Sequence, residues 1–389
     1  MTSRRRRECG PTLAGPRRTS TRCAHVDVSF PAILSIEKGT TVFKETSEWY
    51  ITDTGPFDGV VYIRTMRNQF LLFAVASLLF TSCGGGSEQV APAPESTAAP
   101  APAPAPNIAA TIVAARAGFI PEGIEYDTKS GRLLTGSLSE GTIFEIKNDG
   151  SVTAAVTDPD LKSSIGIEVD KDRDRLLVAN SDFTIFQGKG AGQAKLGVYN
   201  LSTGARLAMV DLAAADANAP KDATHFANDV AVGSDGTAYV TDSRTNVVYR
   251  VDPDYKASVL HRFAPAKDLA LNGIVYHPSG YLLVTGGATL YKVPISNPAG
   301  LTEVKLPEPV PGQDGMVWMS NGRLAIVSNS DNRVVALTSN DDWATAQIAA
   351  VAKFATQGTT AAAVGDDIYV VHPHFADQDP PSVERVTFQ

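Results

Sequence analysis

The chain has 389 residues, room for two average domains or one large β or α/β domain, and its 43% hydrophobic and 20% charged content is that of a globular protein. A formal net charge of −8 argues against the clustered basic face that nucleic acid requires, so no nucleic-acid partner is expected. The cysteines are Cys9, Cys23 and Cys83; none follows Cys83, so the rest of the chain has neither a disulfide nor a thiolate metal site.

Residues 1–65 open with "MTSRRRRECG" and show no sustained periodicity. They read as a disordered leader, or as upstream sequence attached by a start codon placed too early. A second methionine, Met66, begins "MRNQFLLFAVASLLFTSC". Arg67 supplies a positive start, and Phe70 to Phe80 is an apolar run too short to span a bilayer, which takes about 20 residues, but suited to the core of an export signal. Residues 66–82 resemble a bacterial lipoprotein signal peptide, which implies lipidation of Cys83 and attachment to a membrane of the cell envelope. An ordinary secretory signal with an incidental cysteine is the alternative. Residues 83–107 form a Gly/Pro/Ala-rich linker. Its alternating Ala-Pro favours polyproline II over helix. At about 3.1 Å per residue, Ala91 to Pro106 would reach roughly 50 Å.

Residues 108–389 change character. Short runs such as "RLLTGSL", "TIFEIK", "RLLVANS", "TAYVTDS", "YLLVTGG" and "RLAIVSNS" are rich in β-branched residues and bounded by Gly, Asp, Asn or Ser. They recur in a fixed phase. "EGIEY" at 122, "IGIEV" at 165, "NDVAV" at 228, "NGIVY" at 272, "DGMVW" at 314 and "TAAAV" at 360 each open a unit, at spacings of 43, 63, 44, 42 and 46. The long interval holds two loop-like insertions, "FQGKGAGQ" and "AAADANAPKD". Six units of this length predict an all-β fold, a six-bladed β-propeller in one domain. "NIAATIVAA" at 107–115 is expected to complete the last blade and close the ring.

The first strand of each blade lines the axis, so the residues opening these units converge on it. They are Glu122, Ile165, Asn228, Asn272, Asp314 and Thr360. Taken singly, an Asn-Asp or Asp-Gly is more often a turn. Together, two carboxylates and two carboxamides at one phase predict a divalent cation held by Glu122, Asn228, Asn272 and Asp314. Oxygen donors favour Ca2+, with Mg2+, Mn2+ or Zn2+ as alternatives. The second strands are expected to end on the same face at Ser137, Asn180, Asp242, Gly287, Asn329 and His372, where Asp242 and His372 are candidate pocket residues.

The set "PEGIEY", "ANDVAVGSDGTAYVTDS", "LNGIVYHPSGYLLVT" and "QDGMVW" resembles the SMP-30/gluconolactonase/LRE family of six-bladed propellers. The resemblance runs by motif over residues 119–338 and beyond that only by the repeat. It implies a metal-dependent hydrolase of lactones or related esters, with Glu122, Asn228, Asn272 and Asp314 as metal ligands and Asp314 as general base. Where sugar-lactonase members have an Arg two residues before the Asn-Asp motif, this chain has Phe226. A more apolar lactone or ester is expected. The other reading is a non-enzymatic propeller that keeps a structural cation and binds a ligand or protein. "GKGAGQ" lacks the Lys-Ser/Thr of a phosphate loop, and no Gly-x-Ser-x-Gly is present.

Overall fold

In the computed structural model the described residues are 107–375 and 379–389, together with the strand backbones at 32–36, 40–45, 48–53 and 60–63. The expected signal peptide, Cys83 and the linker through residue 106 lie outside them. The chain divides into two units, Met1–Thr97 and Ala98–Gln389.

In the first unit, Ala32–Ile36, Thr40–Glu45, Glu48–Asp53 and Val60–Ile63 pair in order as an antiparallel sheet. These four strands form a meander. Its sequences "TTVFKE", "EWYITD" and "VVYI" are rich in β-branched and aromatic residues, the composition a pleated surface favours.

The second unit is a β-propeller of six blades with no α-helix among the described residues. The innermost strands are Ile124–Asp127, Ser163–Asp170, His225–Val232, Leu271–His277, Gln313–Trp318 and Ala361–Val364, in blades 1 to 6. Each begins a run of four antiparallel strands, to which blade 3 adds one short parallel strand, so the repeat phase read from the sequence is the blade phase. The ring closes as expected. Thr111–Val113 pairs with Ser382–Arg385 as the outermost strand of blade 6, with Val383 opposite Ile112. Ile112 and Ala114 are each 2% exposed, so closure is apolar as well as hydrogen-bonded.

The core lies between neighbouring blades. Alternate residues of each strand face one neighbour or the other, and Leu177, Leu196, Val230, Val240 and Tyr249 pack in one such layer between blades 2 and 3. Two blade-2 strands, Lys195–Asn200 and Arg206–Asp211, fall within the long repeat interval. The insertions flank them. A 3-10 turn, Phe183–Gln187, leads into "FQGKGAGQ", which ends in a two-residue strand, Gly192–Gln193, that adds in parallel to His225–Phe226 at the edge of blade 3. The Ala-rich insertion contributes a second 3-10 turn at Ala213–Ala215.

Candidate functional site

Four of the innermost strands share a β-bulge. In blade 3 Ala227 pairs with Asp242 and Val230 with Val240, so Asn228 and Asp229 together oppose Thr241. Ile165–Gly166, Asn272–Gly273 and Asp314–Gly315 occupy the same place in blades 2, 4 and 5. A bulge inserts one residue, bends the strand and re-aims a side chain. The polar residues found by phase therefore sit at the bulges rather than at strand starts, except Glu122 and Thr360, which precede the first paired residues of blades 1 and 6.

Glycine in the second bulge position lets adjacent blades touch at the axis. A Cβ on Gly273 would lie 2.3 Å from the Asp314 carbonyl oxygen, and one on Gly315 would lie 1.7 Å from Thr360 Oγ1. Threonines on the second strands lock these contacts. Thr241 Oγ1 donates to Asn272 O at 2.6 Å, and Thr285 Oγ1 to Asp314 O at 3.3 Å.

This packing buries the predicted set. Glu122 is 8% exposed, Asn228 7% and Asp314 3%; Asn272 is half-buried. Asp314 Oδ2 accepts from Asn329 Nδ2 at 2.6 Å. Its Oδ1 is buried with no hydrogen-bond partner. Burial pushes the Asp314 carboxyl up to about 7, against the Asn329 hydrogen bond that favours its charged form. Glu122 is raised well above the carboxylate range, by burial first and then by the negative charges of Asp314 and Asp229. Glu122 and Asp314 are thus brought together, and the Asn272 side chain also lies beside Asp314. Asn228 is at the same level but donates its amide to Ser243 Oγ at 2.9 Å.

Asp229 was not singled out by the sequence, where it passed as half of a turn dipeptide. It takes the bulge position filled by glycine in blades 2, 4 and 5. Its Oδ2 accepts from Ile274 N at 3.1 Å and its Oδ1 from Val230 N at 2.9 Å, and burial pushes it up to about 7. Beyond it, Glu125 and Glu168 line an axial cavity of about 220 Å3 that runs to Tyr276 and Trp318 at the opposite mouth. Glu125 is raised to about 8 by burial and then by Asp229. Glu168 is also raised, by burial, Glu125, Asp229 and Asp170. The signal for both was present: each is a charged residue inside an otherwise apolar inner strand, "GIEY" and "GIEV".

The other expected pocket residues are placed differently. Phe226 is 4% exposed within the layer between blades 2 and 3, where Phe186 packs edge-on at 5.0 Å. Phe186, 57% exposed, carries the aromatic surface there. Asp242 is fully buried. Its Oδ1 accepts from the amides of Phe226, Arg244 and Thr245, and its Oδ2 lies 2.8 Å from His225 Nδ1. It orders the rim rather than facing it. His372 is 1% exposed, with Nδ1 against the Thr356 and Gln357 carbonyls at 3.1 and 3.3 Å. Burial lowers its basicity.

Among the described residues no three His, Cys, Asp or Glu side chains form a group that could hold a metal ion. A cation here would rely on two carboxylates supplemented by carboxamides. The donors fit one in kind. They are oxygen only, two carry like charges in a buried setting, and one carboxylate oxygen has no partner.

No protein-family model matches the chain, and no curated protein matches it in sequence. Solved structures do. The major Malassezia sympodialis allergen Mala s 1 is 18% identical with a TM-score of 0.60, covering 72% of this chain and 96% of its own. A luciferin-regenerating enzyme is 13% identical at a TM-score of 0.51, covering 71% and 94%. A gluconolactonase-like protein is 17% identical at 0.48, covering 70% and 91%. At these identities the likeness is one of fold.

Proposed function

We propose that this propeller is a metal-dependent hydrolase of a small lactone or ester, acting at the mouth of the axis where Glu122 and Asp314 meet. Glu122, Asn228, Asn272 and Asp314 would hold the cation, Ca2+ first. The observation that carries this reading is the Asp314 carboxylate. One oxygen is fixed by Asn329, and the other is buried, unpartnered and beside a second acid. Burying that arrangement without a counter-charge is costly. A bound cation would supply that counter-charge and polarise the substrate carbonyl.

Asp314 serves as general base. As water oxygen bonds to the carbonyl carbon, its proton passes to the Asp314 carboxylate. The ester or lactone C–O bond then breaks and the departing alkoxide takes up a proton, giving an acid and an alcohol. Asn329 keeps Oδ2 engaged, so Oδ1 is the Asp314 oxygen left to meet the cation and the attacking water. The lipoprotein-type signal at 66–82 and lipidated Cys83 belong to the same proposal, which puts the enzyme on a membrane of the cell envelope.

The test is a screen of the purified protein against small lactones and esters, with added Ca2+ and with chelator. Turnover that depends on Ca2+ and falls about a hundredfold or more in Asp314→Asn, with unchanged circular dichroism, is expected. Activity indifferent to both manipulations would end the assignment.

A further inference from the structure

On the face that carries Glu122 and Asp314, a cavity of about 440 Å3 opens between blades 1 and 2. Its floor is Ile120, Leu138 and Phe183; Ser139, Lys162 and Asp182 stand around it. Resting on the hydrolytic reading above, we infer that this cavity receives the apolar acyl or alkyl substituent of the ester, and so sets the substrate class.

The first argument is position. Ile120 precedes Glu122 by two residues, and two residues of extended chain span at most about 7 Å. A carbonyl placed at Glu122 and Asp314 therefore has its substituent within reach of Ile120. Ile120 holds a φ of +49°, a region that β-branched residues seldom adopt. Its place is secured by a chain of bonds. Leu138 N donates to Ile120 O at 3.0 Å, Ser163 Oγ donates to Leu138 O at 2.6 Å, and Phe183 N donates to Ser163 Oγ at 3.0 Å. The 3-10 turn that leads into the insertion thus delivers Phe183 to the cavity, with Phe186 beside it at 5.6 Å between ring centroids.

The second argument is that Ser139, Lys162 and Asp182 already have partners. Ser139 Oγ donates to Gly118 O at 2.8 Å. Asp182 accepts from Lys162 at 3.2 Å and from Thr184 Oγ1 at 2.5 Å. The ion pair cancels its own charge. A sugar hydroxyl entering this space would displace bonds already made, whereas an alkyl or aryl group displaces only water and buries itself against three apolar side chains.

Filling the cavity tests the inference. Ser139 and Gln187 are exposed lining residues, so Ser139→Trp and Gln187→Trp are two independent ways to occupy it. Binding of 4-phenylbutyrate, an apolar acid of the expected product type, is measured by calorimetry alongside turnover of 4-nitrophenyl acetate and octanoate. The wild type is expected to bind the acid and prefer the octanoate. Each variant should lose about tenfold or more in both, while acetate turnover stays within about twofold. Binding that the variants block, with no ester ever hydrolysed, would leave the cavity assignment standing and remove the hydrolytic reading. A wild type that does not bind 4-phenylbutyrate, or variants that lose acetate and octanoate equally, would overturn the cavity assignment.

Discussion

Asn329 donates to Asp314 across the two inner strands of blade 5, Nδ2 to Oδ2 at 2.6 Å. The bond joins the end of the second strand to the bulge of the first. It leaves a single oxygen of the carboxylate, Oδ1, unclaimed by the protein. Asn329→Leu keeps the volume and removes the donor. A hydrogen bond to a charged group contributes about 1.5–3 kcal/mol. Turnover is expected to fall on the order of tenfold to a hundredfold, with a melting temperature lowered by several degrees and the fold kept. Stopped assays at saturating and limiting substrate check this; unchanged kcat with an unchanged fold would deny Asn329 any hold on Asp314.

The acids along the axis make stability depend on pH and on metal. Glu122, Glu125, Glu168, Asp229 and Asp314 all have folded-state pKa values raised by burial. Raised carboxyl values mean that the folded state binds more protons than the unfolded one. Their contribution is fully present below the unfolded values and is lost as pH rises through the folded ones, about 7 for Asp229 and Asp314 and about 8 for Glu125. In chelator the melting temperature should fall by several degrees between about pH 5 and about pH 9. Added Ca2+ should recover most of that loss at the alkaline end. Differential scanning calorimetry across this range decides it, and a flat profile insensitive to Ca2+ would count against both the axial acids and the cation.

The His225–Asp242 pair has the opposite composition and a related pH dependence. The Asp242 hydrogen bond, opposed by burial, raises the His225 imidazole. Its stabilisation is therefore present below the unfolded histidine value and lost as pH rises through the folded one. His225→Gln should cost more stability at about pH 5.5 than at about pH 8.5. Asp242→Asn should be worse at either pH, by about 3 kcal/mol or more, because its buried carboxylate also accepts three backbone amides. Urea titrations at the two pH values measure both effects.

Closure of the ring rests on few residues. Deleting residues 1–106 should leave the propeller cooperative. Extending the deletion through residue 115 removes the strand paired with Ser382–Arg385 and uncovers the apolar layer that Ile112 and Ala114 complete. The longer deletion is expected to unfold without a sharp transition or to aggregate. Equal melting behaviour of the two truncations would contradict the role of that strand in closure.

Much of this protein was legible in its sequence because blade strands repeat. Alternation marks a strand, the turn residues bound it, and a period in the forties returns each inner strand to the axis. That was enough to locate six blades, the closing strand and the phase shared by Glu122, Asn228, Asn272 and Asp314. It was not enough for Phe226, whose buried position depends on the bulge that follows it and on the insertion that covers it. Nor did it separate Asp229 from an ordinary turn, because an Asn-Asp pair looks the same in a hairpin and in a bulge.

Periodicity by itself thus determined the fold and the ring order, since both follow from local preferences repeated along the chain. Only the tertiary structure decided which oxygen of Asp314 is free, that Asp229 stands where other blades have glycine, and that the acids reach from one mouth of the axis toward the other. Those outcomes depend on how closely neighbouring blades approach. That closeness is set by contacts between residues far apart in sequence, and no local pattern encodes it.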